Sequence, residues 1–235
     1  MVRTSRVVWW VAMACLAGNA HAQLKAQQSA RTSVPAQASV QFEQGSTLRA
    51  LEDWHVLPPR QRVEPENRLL RERLEQLLPR LMAETDLDMW LVLNREYAED
   101  PAYFTLVPQP TFAARRTTML VFHRKADGTV ERLAVNRYPL GGPYESAWAG
   151  GDLEAQWKAL GQLIADKNPR RIGINVSRHW PVADGLTHAL HTRLLEVLPA
   201  GFESRLVPAE SLVVRWLETR TAGDRLAAGS ASAPL

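Results

Sequence analysis

The sequence predicts an α/β fold: a mixed β-sheet of about five to six strands with flanking helices. Two observations predict it. Short apolar runs bounded by turn-forming residues alternate with longer segments whose apolar residues recur at helical spacing. One pair of runs is joined by Ala126-Asp127-Gly128-Thr129, a tight-turn string that makes its two strands antiparallel. With 46% hydrophobic residues among 235, the chain can build an ordinary core without disulfides.

Taken in order, Leu57-Pro58-Pro59-Arg60 reads as a turn. Pro65 then opens a periodic segment carrying Leu69, Leu70, Leu74, Leu77, Leu78 and Leu81. Pro79, late in that segment, is expected to kink or split the helix. Met89-Trp90-Leu91-Val92-Leu93, between Asp88 and Asn94, reads as a buried strand. Thr117 to His123 and Val130 to Val135 form the hairpin strands. Leu153 to Ala165 returns to helical spacing, and Ile172 to Val176 is a further strand with Gly173 inside it. A helix over Ala183 to Val197, a short strand at Ser204 to Val207 and a helix over Ala209 to Glu218 complete the pattern. The Ala, Gly and Ser-rich residues 221–235 are expected to be an unstructured tail.

The first 22 residues carry the pattern of a secretory signal peptide. Arg3 and Arg6 precede an apolar run from Val7 to Ala17, and Ala20-His21-Ala22 supplies a small-residue cleavage site. That run is about half the length needed to span a bilayer. Cleavage after Ala22 is expected, leaving an exported chain, periplasmic or secreted, with no membrane segment. Cys15, the sole cysteine, lies in the run, so the mature chain would hold no disulfide. Residues 23–50 are rich in Gln, Ala and Ser and read as a disordered leader. The folded domain is expected over 51–220.

Two of the 28 Lys and Arg leave with the signal peptide and no acid does, so the formal charge of +3 falls to about +1. These charges are spread along the sequence, which argues against a nucleic-acid partner. No Gly-x-Ser-x-Gly elbow, Ser-x-x-Lys or His-Glu-x-x-His string occurs. His188 and His191, three apart on an expected helix, have a spacing compatible with metal ligation, although a polar helix face is the simpler role. His179, beside Trp180 and before Pro181, is expected in a loop at a strand end, where open α/β sheets can carry sites. Gly141-Gly142-Pro143 reads as a turn and lacks the features of a phosphate loop. Tyr144, Trp148 and Trp157 are expected in the core, with a docking face as the alternative. On these residues, no catalytic, cofactor-binding or metal site is assigned.

Several strings in this order resemble the N-terminal domain of the aminopeptidase P and creatinase family of metallopeptidases. They are Asp88-Met89-Trp90-Leu91-Val92-Leu93 followed by Asn94-Arg95-Glu96-Tyr97, then Ile172-Gly173-Ile174-Asn175-Val176-Ser177, Ala183-Asp184-Gly185-Leu186-Thr187, and Leu212-Val213-Val214-Arg215-Trp216-Leu217-Glu218-Thr219-Arg220-Thr221. The resemblance runs from about Trp54 to Arg220 and implies a non-catalytic domain that shapes the substrate entrance or mediates homo-oligomer contacts. In that family the chemistry belongs to a C-terminal domain holding two divalent metals, such as manganese, where a bridging water cleaves the bond before proline. The chain is therefore expected to be a truncated member, with no cofactor of its own and a peptide substrate only if a catalytic domain is supplied. A stand-alone exported interaction module is the alternative reading. A third, an α/β enzyme built on His179, His188 or His191, predicts loss of activity on their replacement.

Overall fold

Nearly unbroken apolar runs such as Met89 to Leu93 call for burial on both faces, and the chain meets that demand with a three-layer arrangement. The computed structural model describes residues 57–232, with side chains described to Ala227. The expected signal peptide with Cys15 and the leader 23–50 lie outside the described residues.

A helix, α1 (Pro59–Glu72), leads through a π-helical turn (Arg73–Leu77) into α2 (Leu78–Glu84). The helix starts where a turn was expected, because Pro59 occupies a first helical position whose N–H would lack a partner anyway. Pro79 neither splits nor ends it. A proline ring collides with the carbonyl four residues back in a regular α-helix, and here the preceding turn widens instead, with the Leu78 N–H donating to the Arg73 carbonyl.

The strands are β1 (Met89–Arg95), β2 (Thr117–Arg124), β3 (Val130–Asn136), β4 (Glu145–Ser146), β5 (Ile172–Ile174) and β6 (Leu206–Pro208). They form one sheet in the order β4-β3-β2-β1-β5-β6. β2 runs antiparallel to β1 and β3, and the other pairings are parallel. The sheet is therefore mixed and six-stranded, at the upper end of the expected range. In the β2–β3 turn Gly128 takes φ 83°, and the Asp127 carboxylate accepts the Thr129 N–H at 2.9 Å.

Alternation along β1 and β2 sorts the core. Trp90, Val92, Leu120 and Phe122 face α1, α2 and α5 (Glu210–Glu218), while Met89, Leu91, Met119 and Val121 face α3 (Leu153–Lys167) and α4 (His188–Val197). The helix expected over 183–197 begins at His188. Thr187 caps it through its side chain, and the preceding Pro181–Ala183 makes a 3-10 turn.

The tail departs from expectation: residues Ala222–Ser232 form a helix, α6. Thr221 and Asp224 bond each other's backbone N–H groups reciprocally, a capping box that starts the helix, and alanine sustains it. The Gly223 N–H also donates to Glu72, and Asp224 pairs with Arg73 at 2.7 Å, so α6 is tied to α1 and the π turn.

Candidate functional site

The chain leaves the carboxyl end of β1 toward β2 and that of β5 toward β6, so the strand order reverses between β1 and β5. Open α/β sheets ordinarily hold ligands in the crevice at that reversal. Here protein fills it. The indole N–H of Trp90 donates to Asn175 Oδ1 at 2.7 Å, and Asn175 Nδ2 donates to Asp100 Oδ2 at 2.8 Å. Asp100 Oδ1 accepts the Ala102 N–H, and the Asp100 N–H donates to Asn94 Oδ1. Gly185 closes the group, since a methyl in its place would overlap the Asp100 carboxylate. All four polar or indole side chains are buried. Burial pushes the Asp100 carboxyl up, against hydrogen bonds from Ala102 and Asn175 that act to lower it.

The residues singled out in the sequence do not converge. His188 and His191 share a face of α4, and no group of three His, Cys, Asp or Glu side chains with metal-site geometry occurs among the described residues. His179 is exposed in the loop after β5, whose backbone is organised by Ser177: its hydroxyl accepts the His179 and Trp180 N–H groups and donates to Glu210. Gly141 and Gly142 form a turn with positive φ. Trp157 and Tyr144 enter the core, and the Tyr144 hydroxyl donates to the Leu106 carbonyl at 2.6 Å. Trp148 stays half-buried on the rim of an open cleft.

That cleft, of about 610 Å³, lies along the same carboxyl edge. Arg95 ends β1, Arg116 precedes β2 and Arg137 follows β3, so three cations far apart in sequence reach one place. Arg95 and Arg116 have no side-chain partner among the described residues, whereas Arg137 donates to the Gly151 carbonyl at 2.9 Å. The Arg115 guanidinium stacks over the Tyr138 ring at 4.3 Å. Asn136, 4% exposed beside Arg137, keeps an Oδ1 with no hydrogen-bond partner among the described residues. Charge counted along the sequence misses this gathering. Its signal is hairpin arithmetic: in an antiparallel β1-β2-β3 meander, the end of β1, the start of β2 and the end of β3 share an edge.

The opposite edge carries a clamp. Asp88 accepts from Arg124 at 3.1 Å and from the Arg170 backbone and side chain at 2.9 and 3.0 Å, joining β1, β2 and the approach to β5. Burial acts to raise this carboxyl, but the Arg170 hydrogen bonds and the charges of Arg170 and Arg124 outweigh it and hold it below its ordinary 3.8. Its contribution to stability is complete above 3.8 and is lost as pH falls through the lower native value. Asp100 acts oppositely: its ionised form is a full cost above the raised native value, relieved as pH falls toward 3.8. From these two groups, stability should rise on mild acidification and drop below 3.8. Thermal melting against pH checks this, with Asp88→Asn expected to flatten the acid limb; an unchanged limb would remove Asp88 from the account.

No helix among the described residues is long and apolar enough to cross a membrane. Compared with known proteins, the chain matches no family model, and no curated protein matches it.

Proposed function

We propose that this chain supplies the non-catalytic, creatinase-like N-terminal domain of an exported Xaa-Pro aminopeptidase-like metallopeptidase, where it shapes the substrate entrance or mediates contacts between subunits. One observation carries the reading. Three of the four strings that resemble that family meet in a single buried network, although they are distant in sequence. Trp90 and Asn94 come from the first, Asn175 from the second, 85 residues after Trp90, and Gly185 from the third. The fourth lies on α5, whose Trp216 is buried in the core layer that also contains Trp90. Trp90 of the first string and Asn175 of the second share a hydrogen bond, and Gly185 of the third lies against the Asp100 carboxylate that accepts from Asn175.

On this reading the metal ligands belong to a separate domain, and the chain by itself releases no amino acid from a Xaa-Pro peptide in the presence of manganese. Release of the N-terminal residue by the purified chain would overturn the proposal. Light scattering tests the role in subunit contacts, for which self-association is the expected result. The second reading, a stand-alone exported interaction module, is favoured by the open arginine cleft, whose described lining residues all lie between Arg95 and Gln156. A strict monomer in light scattering would overturn the role in subunit contacts.

A further inference from the structure

We propose that the cleft at the carboxyl edge binds a phosphate-bearing ligand with a planar ring, of the nucleotide class. Two acids stand at the cleft, and both are already engaged. Glu96 Oε2 accepts the Arg116 N–H at 3.0 Å, and Asp152 Oδ1 accepts the Ala155 N–H at 2.8 Å as the cap of α3. Neither pairs with a guanidinium of the described residues. Among the described residues, Arg95 and Arg116 therefore present forks without partners, and Arg137 has one nitrogen committed to a carbonyl. Guanidinium forks take phosphate oxygens in pairs, and three like charges drawn to one edge repel each other until an anion sits between them.

The platform for a ring is Tyr97. Its side chain is 94% exposed at a turn in which the Ala98 N–H donates to the Arg95 carbonyl at 2.8 Å. Tyr97 and Arg116 hold φ of 67° and 71°, a left-handed region that non-glycine residues rarely adopt. The two strained positions are braced against each other, since the Glu96 N–H donates to the Arg116 carbonyl at 2.7 Å. The strain thus presents one free cation and one free aromatic face toward the same space. An open cleft of about 610 Å³ has the size of a small-molecule site, and a polymer would call for a continuous basic track. This proposal is independent of the peptidase-domain reading and survives its failure.

Isothermal titration of the full chain with pyrophosphate and with adenosine diphosphate tests it. Both should bind, with the nucleotide tighter by about tenfold through stacking. Arg95→Gln/Arg116→Gln should weaken both by about tenfold or more without lowering the melting temperature, because neither side chain has a partner among the described residues and their removal relieves mutual repulsion. Tyr97→Ala should erase only the advantage of the nucleotide. No binding of either probe, or undiminished binding by the double variant, overturns the site; pyrophosphate binding with no nucleotide advantage overturns the ring platform.

Discussion

Replacing Trp90 with alanine is expected to destabilise the domain by about 5 kcal/mol, enough to unfold much of the population. The side chain is fully buried, and its ring stacks on Phe122 with centroids 5.1 Å apart. Truncation to alanine at such sites costs about 3–5 kcal/mol in lost burial and cavity. The indole N–H also satisfies Asn175 Oδ1, and Asn175 cannot turn its amide to compensate, because its other end donates to Asp100. An orphaned buried acceptor adds about 1–3 kcal/mol. Trp90→Phe separates the two effects: it keeps the stack on Phe122 and loses only the hydrogen bond and the smaller part of the volume. Urea unfolding of both variants is the measurement. If the alanine variant lost no more stability than the phenylalanine one, the cavity would not be the dominant effect.

Arg73→Met is expected to cost about 3 kcal/mol and to free α6 from the domain. Arg73 donates to the Trp216 and Thr219 carbonyls at the end of α5, pairs with Asp224 at 2.7 Å and lies 4.4 Å from the centre of the Trp216 ring. Methionine keeps the stem but leaves the last carbonyls of α5 and the Asp224 carboxylate without their cation. The two paired side chains retain only 12% and 10% of their exposure, so water compensates little. Hydrogen exchange localises the consequence. Residues 222–232 should lose far more protection in Arg73→Met than β1 and β2, and an equal loss across the sheet would contradict a local role.

These two arginine and tryptophan anchors differ in how readily the sequence discloses them. Trp90 stands in an apolar run between Asp88 and Asn94, and such a run is legible as a strand buried on both faces because no polar residue interrupts it. Arg73 sits among the charges of an amphipathic helix and looks like any solvated residue there; its partners lie 143 to 151 residues away. The start of α6 was legible in Thr221-x-x-Asp224, but the Ala, Gly and Ser composition around it pointed to an unstructured tail. Composition averages over a window, whereas a cap acts through two side chains.

The sequence by itself determined the order of five of the six strands and of the helices up to α5, the antiparallel hairpin at Asp127-Gly128 and the two-sided burial of β1, because turn chemistry and apolar periodicity are local properties; the two-residue β4 and α6 escaped it. Only the tertiary structure decided where the polar and charged groups meet. It filled the β1–β5 crevice with Asn175, Asp100 and Gly185, and it drew Arg95, Arg116 and Arg137 to one open edge. Those outcomes depend on strand order and direction, and neither strand order nor direction is written in any single stretch of chain.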